Sequence, residues 1–271
     1  MFNTKVFSCL MVFALTSTLV VSVNARDALQ ILPTRVVMTD ETSADLTLIN
    51  KGDEAGTYRI LLRNIRTDDN GQFQEALEAH QGELFADEFV RYSPRRITVD
   101  ADSNQKVRLV VRKPRNLPPG EYRTHMVFQS LPKEVPNTLD NATQDVRVSV
   151  DPIIEISIPI IIRSGNLNAG VALDELSLTG DNLLSLQIKR DGNRSVYGDV
   201  EVFVNSGKAK GEQAGFAKGV SVYVPNGLRN FLLPLTLPSG FNPSTDDLLV
   251  RFKEDPSYGG NQATETVLPP S

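Results

Sequence analysis

Apolar and polar residues alternate along most of this chain of 271 residues, and a repeat of two predicts β-strands. No segment shows the apolar stripe of an amphipathic helix. Turn-forming clusters such as Lys51-Gly52-Asp53 separate the alternating runs at the spacing of a β-sandwich. Residues 72–88 alternate least, and we expect a short helical turn there. In the first half the predicted strands cover residues 29–38, 44–50, 57–64, 105–112 and 122–130.

The same pattern resumes after Ser164-Gly165-Asn166 and predicts a second β-rich half. Asp191-Gly192-Asn193 is a strong hairpin signal between two of its strands. Residues 256–271 are rich in glycine, proline and polar side chains, so a flexible tail is expected. The fold class is therefore predicted to be all-β, with two β-sandwich domains. The strands of the second half are expected over residues 173–178, 184–189, 199–204, 219–224, 230–237 and 247–253.

Residues 144–163 contain the longest apolar alternation in the chain. One extended strand would place the even-numbered valines and isoleucines on a single face. These residues are Val146, Val148, Val150, Ile154, Ile156, Ile158 and Ile160. Such a strand exceeds the usual length in globular sheets. It is either a long core strand or a strand that extends beyond its own domain to serve a partner.

Residues 1–25 have the features of a secretory signal peptide, with Lys5, an apolar stretch over residues 6–23 and a small-residue ending. Cleavage is expected after Ala25. An uncleaved anchor is the alternative, because the apolar stretch is almost long enough to span a bilayer. The remaining chain is long enough for two domains, expected at residues 26–163 and 164–255, followed by the tail at 256–271.

Composition narrows the possible functions. The only cysteine, Cys9, lies in the expected signal peptide, so the mature protein would have no disulfide and no thiolate nucleophile. The formal net charge is −5, and removing residues 1–25, whose only charge is Lys5, leaves −6. A weakly acidic chain without basic runs is a poor ligand for nucleic acid or anionic lipid. We expect neither nucleic-acid binding nor membrane insertion after cleavage.

Catalytic and metal-binding motifs are missing from the sequence. His80 and His125 are the only histidines, and neither lies near a second ligand at a familiar spacing. There is no nucleophile elbow, phosphate-binding glycine loop or zinc-protease helix. The chain is therefore expected to be a non-enzyme that needs no metal or cofactor.

Four segments in this order resemble the periplasmic chaperones of the chaperone-usher pathway, the PapD-like family, in a divergent form. These segments are residues 32–37, 107–111, 117–123 and 144–163. The resemblance implies two immunoglobulin-like β-sandwich domains in a boomerang arrangement and a periplasmic location. It implies a chaperone for pilus or fimbrial subunits that works by donor-strand complementation and delivers them to an outer-membrane usher. A self-capping dimer through the exposed strand is also expected.

The resemblance also assigns roles to residues. Val146, Val148, Val150, Ile154 and Ile156 would form the donor strand. Arg35 matches the arginine that binds the terminal carboxylate of a subunit. The family's second cation is a lysine at the position of Pro159, so Arg123 is the expected substitute. Glu121, Arg163 and Asp255 match a charged cluster between the domains.

Pro152 and Pro159 differ in parity, so in one regular strand their missing N–H donors would face opposite edges. We therefore expect an interruption or a change of pairing partner between them.

Two other functions are alternatives to a chaperone. A secreted structural fibre subunit or adhesin commonly carries a disulfide, which this chain lacks. A hydrolase on a β-sandwich scaffold would need a nucleophile or metal site, and the sequence contains neither motif.

Overall fold

The computed structural model describes residues 29–132 and 152–270. The expected signal peptide and the donor-strand residues Val146, Val148 and Val150 lie outside these ranges. Within them the protein is all-β, as predicted, with two short 3₁₀ helices, Asp87–Phe89 and Pro256–Tyr258. No helix in the described ranges is long and apolar enough to cross a membrane.

The first domain is a sandwich of two sheets. One sheet has the strand order β1-β3-β9-β7 and the other β2-β11-β10-β4-β8, with a small β5-β6 hairpin beside them. The strands are β1 (Leu29–Leu32), β2 (Val36–Met38), β3 (Ser43–Asn50), β4 (Gly56–Arg63), β5 (Ile65–Thr67), β6 (Phe73–Glu75), β7 (Val90–Ser93), β8 (Arg96–Val99), β9 (Asn104–Val111), β10 (Gly120–Ser130) and β11 (Glu155–Ser164).

The predicted strand over residues 29–38 is divided between the two sheets. β1 pairs with β3 in one sheet, and after Pro33 the chain crosses so that β2 pairs in parallel with β11 in the other. A proline cannot donate a ladder hydrogen bond, so it suits the crossing point. The crossing places Arg35, immediately before β2, at the surface that faces the second domain.

Alternation determines which side chains fill the first core. Val107, Leu109 and Val111 of β9 are buried, while the residues between them are more exposed. β10 is different, because nearly every residue of it is buried. Its even-numbered side chains, such as Met126 and Phe128, enter the core. Arg123 and His125, of odd number, lie on the opposite face and are covered by other parts of the molecule.

The second domain is also a two-sheet sandwich, with strand orders β12-β13-β16 and β15-β14-β17-β18. β14 shows the period-two pattern most clearly, with Val196, Val200, Val202 and Val204 buried in the second core. The strands are β12 (Ala169–Leu178), β13 (Leu183–Gly192), β14 (Val196–Val204), β15 (Gln213–Val222), β16 (Leu228–Pro234), β17 (Leu248–Glu254) and β18 (Ala263–Leu268).

Two sequence expectations are corrected. Asp191-Gly192-Asn193 does not close a hairpin: β13 pairs with β12 and β16, whereas β14 pairs with β15 and β17 in the other sheet. The turn residues mark a bend correctly, with Gly192 at φ +83°, but they do not specify the strand that pairs next. Residues 256–271 are not simply a tail, because β18 pairs with β17 over six residues.

Deleting residues 262–271 should destabilise the second domain, because it removes β18 and uncovers the edge of β17 beside the buried Phe252. We expect a lower urea midpoint and a separate early transition of this domain, measured by circular dichroism. A control that lacks only residues 269–271 should unfold like the full chain. Equal midpoints for both deletions would show that β18 contributes nothing to stability.

Candidate functional site

The outer edge of β11 is only partly paired. β10 pairs with β11 along its length, from Gly120↔Ser164 to Gln129↔Glu155. On the other side β2 pairs only with Ile160–Ile162. Within the described residues, the stretch from Glu155 to Pro159 therefore has a neighbouring strand on one side only. An unpaired edge of this kind can accept a further strand.

Backbone groups of successive residues in β11 point alternately towards β10 and towards the open edge. The amide of Ser130 donates to the carbonyl of Ile154 at 2.8 Å, so even-numbered residues of this stretch bond to β10. Odd-numbered residues direct their backbone groups outward, which leaves the Glu155 and Ser157 amides on the open side. Pro159 is also odd-numbered, so its missing donor removes no bond to β10. β11 begins at Glu155, between the two prolines, and pairs with β2 only from Ile160, after Pro159. The described strand is therefore not paired on both sides through both prolines, the arrangement that would have contradicted the prediction.

The apolar row of β11 changes from buried to exposed along the strand. Ile158 and Ile160 are part of the first core, Ile156 is half-buried against it, and Ile154 is 41% exposed. Of the predicted donor residues in the described range, Ile154 is thus accessible and Ile156 partly shared with the protein's own core. The first core is open at this end beside the unpaired edge.

Arg35 reaches from the first domain into a cage of tyrosines on the second. Its guanidinium carbon lies 3.7 Å from the centre of the Tyr197 ring, and Nη2 donates to the Tyr223 hydroxyl at 2.7 Å. The residue is only 5% exposed, and its Nε has no hydrogen-bond partner in the described structure. The ring faces stabilise the charge while one donor remains available.

Arg123 and His125 occupy the cleft-facing side of β10. Arg123 lies 4.2 Å over the Tyr223 ring, and burial lowers the pKa of its guanidinium. His125 is 2% exposed, and neither ring nitrogen has a partner in the described structure. Burial, then the charges of Arg123 and Arg35, lower the pKa of His125 to about 3, so the ring is neutral.

A cavity of about 280 Å³ opens between the domains beside these residues. Arg35, Pro159 and Tyr223 line it, and so does Arg229 of the second domain, which the sequence analysis did not single out. Nothing in the local pattern around Arg229 distinguishes it from an exposed strand cation. No ion pair involves Arg35, Arg123 or Arg229 among the described residues. These side chains give the cleft an excess of positive charge.

Two members of the predicted charged cluster also lie at the interface between the domains. Nε of Arg163 donates to Glu121 at 3.1 Å, and Nη1 donates to the carbonyl of Tyr258 in the second domain at 3.0 Å. Glu121 also accepts from the amide of Ser195 at 3.1 Å. Both Glu121 and Arg163 therefore make hydrogen bonds to backbone groups of the other domain, which fixes the orientation of the two domains.

Asp255 does not pair with Arg163 in the described structure. Its carboxylate instead accepts from the amide of Ser257 at 2.9 Å and caps the 3₁₀ helix that follows. The acid of the second domain that forms a buried ion pair is its neighbour Glu254, with both oxygens bonded to Arg194 at 2.6 and 2.9 Å. The sequence does not show which of the two neighbouring acids, Glu254 or Asp255, forms an ion pair, because this depends on the direction of each side chain in the fold.

In the described part of the chain, no group of three or more His, Cys, Asp or Glu side chains is placed to hold a metal ion. No protein-family model matches the chain, and no curated protein matches it in sequence.

Several solved structures are similar to it. One is the CsuC-CsuE chaperone-tip adhesion subunit complex of Acinetobacter baumannii, with 13% identity, coverage of 88% of this chain and 97% of that chain, and a TM-score of 0.46. Another is the Pseudomonas aeruginosa CupB2 chaperone, with 13% identity and a TM-score of 0.44. The match covers 89% of this chain and 100% of that chain. A third is the Salmonella enterica SafA pilin in complex with the SafB chaperone, with 16% identity and a TM-score of 0.44. The match covers 89% of this chain and 97% of that chain. At such values, function has to be inferred from the site of this chain itself.

Replacing Arg163 with methionine should lower the free energy of unfolding by roughly 3 kcal/mol, because it leaves the buried carboxylate of Glu121 without its cation. Urea denaturation followed by fluorescence measures the change. The matched control is Lys189→Met, which breaks the exposed Lys189–Asp174 pair and should leave the midpoint unchanged. Similar effects of both substitutions would contradict a structural role for the interdomain cluster.

His125→Phe should reduce the sensitivity of the fold to acid. Because the folded pKa is about 3 and the ordinary pKa about 6.5, the unfolded chain takes up the proton first. Stability is complete above pH 6.5 and is lost as the pH falls towards 3, by about 2 kcal/mol at pH 5. Between pH 7 and pH 5, the free energy of unfolding of the variant, measured by urea titration, should fall by about 2 kcal/mol less than that of the wild type. The exposed control His80→Gln should lose as much stability as the wild type. If His125→Phe also loses as much stability as the wild type, this histidine is protonated in the fold.

Proposed function

We propose that this protein is a periplasmic chaperone that binds incomplete immunoglobulin-like pilus subunits and lends them an edge strand. The observation that carries the proposal is the one-sided pairing of β11 from Glu155 to Pro159, next to the exposed end of its isoleucine row. A subunit that lacks its last strand has an apolar groove and unpaired backbone groups along one edge. The open side of β11 presents the complementary backbone groups.

The isoleucine row supplies the apolar part of the binding. A strand docked beside Glu155–Pro159 lies against Ile154 and Ile156, where the first core is open. Complete burial of such a side chain contributes roughly 1.5–3 kcal/mol before the cost of ordering both partners. In this proposal Val146, Val148 and Val150, which lie outside the described residues, are the remaining donor residues. Binding requires no nucleotide, metal or cofactor.

The interdomain cleft supplies a second contact, for the terminal carboxylate of the subunit. Arg35 has a free Nε donor there, and Arg123 contributes further positive charge behind Tyr223. A buried cation without an ion pair favours binding of an anion, because the anion restores the electrostatic stabilisation lost with water. The strand edge and the cleft lie along the same strand, β11, so one extended segment can reach both.

Location and partners follow from this role. The expected signal peptide would export the protein to the periplasm, where it would deliver subunits to an outer-membrane usher. The same open edge could pair with a second copy of the chain, which supports a self-capped dimer in the absence of subunit. Such a dimer and a subunit complex would compete for one surface.

Ile154→Asp should weaken the complex with a fibre subunit encoded beside this chain's gene. A charge at this position would have to enter the apolar groove, so we expect at least a tenfold loss of co-purified subunit after co-expression. The exposed isoleucine is not needed for the core, so the melting temperature should stay within about 2 °C of the wild type.

The matched control is Leu232→Asp, at an exposed apolar residue on β16 of the second domain. It should bind subunit as the wild type does. No complex with the wild type, and a subunit equally stable without it, would overturn the proposed function. An Ile154→Asp variant that binds normally would place the contact elsewhere.

A further inference from the structure

Two arginines from different domains line the cavity of about 280 Å³ between the domains. Arg35 comes from the first domain and Arg229 from the second, at the start of β16. The Nε atoms of both are buried and have no hydrogen-bond partner in the described structure. An N–H buried without a partner costs on the order of 1–3 kcal/mol. Two arginines that line one cavity, neither of them in an ion pair among the described residues, favour an anionic ligand.

Ser221 and Tyr223, which lie close together in the chain, hold the two guanidinium groups. The Tyr223 hydroxyl accepts from Arg35, and Arg229 donates through Nη1 to the carbonyl of Ser221 at 2.9 Å. Ser221, Tyr223 and both arginines line the same cavity. One nitrogen of each guanidinium is thus held by a protein oxygen, and neither charge is part of an ion pair in the described structure. Arginine held in this way can bind a carboxylate with little further loss of side-chain freedom.

The β5-β6 hairpin of the first domain holds Arg229 in place. The carbonyl of Asp69 accepts from the amide of Asn230 at 2.6 Å, and that of Thr67 accepts from the side chain of Asn226 at 2.8 Å. Gly71, at the hairpin turn, packs directly on the guanidinium: a Cβ there would lie 2.6 Å from Cζ of Arg229. The hairpin therefore fixes the backbone on both sides of Arg229 and the guanidinium group itself.

Arg123 has different contacts. Its Nη groups point towards the carbonyls of Val224 and Ile65, at 3.4 and 3.3 Å, and its plane covers the ring of Tyr223. It is not among the residues that line the cavity. Arg123 supports Tyr223 and adds positive charge, but Arg229 is the cation with a donor at the cavity wall.

We propose that Arg229 is the second anchoring cation for the carboxylate terminus of the bound subunit, opposite Arg35, so that the carboxylate bridges the two domains. This inference rests on the proposed function. It assigns to the second domain the charge that is absent at Pro159 in the first. Arg229 binds the ligand directly, whereas Gly71 is a positioning residue.

The test compares two synthetic peptides that copy the last strand of the subunit, one with a free carboxylate and one with a terminal amide. Their affinities for the full chain are measured by isothermal titration calorimetry. The wild type should prefer the free acid by roughly 10- to 100-fold, the range for hydrogen bonds to a charged group. Arg229→Gln should lower this preference about tenfold, and Arg229→Lys should retain part of it. Gly71→Ala, which displaces the guanidinium, should lower it as well.

The matched control is Arg251→Gln, which removes an arginine of the second domain that pairs with Glu265 on the surface. It should leave the preference for the free acid unchanged, and melting temperatures establish that each variant is folded. A wild type that binds neither peptide would overturn the proposed function and the anchor together. Binding without a preference for the acid would leave strand donation intact and overturn the anchor. If Arg229→Gln prefers the free-acid peptide over the amide as strongly as the wild type does, only the role of Arg229 is overturned.

Discussion

The structure depends on the burial of both faces of β10. One face is apolar and completes the first core with Met126 and Phe128. The other carries polar and charged groups, of which Glu121 and Arg123 contact the second domain. A buried polar face is stable only when its groups find partners. Glu121 finds them in Arg163 and the Ser195 amide, and this requirement determines how the second domain sits on the first.

The same face leaves positive charge incompletely compensated. Tyr197 and Tyr223 of the second domain hold Arg35 and Arg123 through their ring faces, which stabilise a cation without neutralising it. Had these contacts been carboxylates, the cleft would be a closed ion-pair network with no need of a ligand. Aromatic contacts instead keep the guanidinium groups in position and the cleft positive, as an anion site requires. Burial first, and then the charges of Arg123 and Arg35, lower the pKa of His125.

The path of the chain into β2 decides the other half of the proposed function. β2 runs parallel to β11 and begins only at Val36, opposite Ile160, although β10 continues along the whole strand. The residues before it, Leu29–Leu32, pair with β3 in the other sheet. This crossing of the chain between the sheets leaves the edge of β11 unpaired from Glu155 to Pro159 in the described structure. The open edge and the positive cleft are joined by β11, so both can act on one ligand.

Alternation in the sequence determined the all-β class and most strand positions, since a period of two defines which residues can share a face. The roles expected of Arg35, Arg123, Glu121 and Arg163 came from the resemblance to the PapD-like chaperones and not from alternation. Pairing partners were decided only by the tertiary structure: the bend at Asp191-Gly192-Asn193 joins different sheets, and β18 is stabilised by β17 rather than by its own composition. Arg229 likewise acquires its position from the contact with Gly71 of the other domain. Local sequence encodes the direction of a side chain, whereas the neighbour it meets depends on long-range packing.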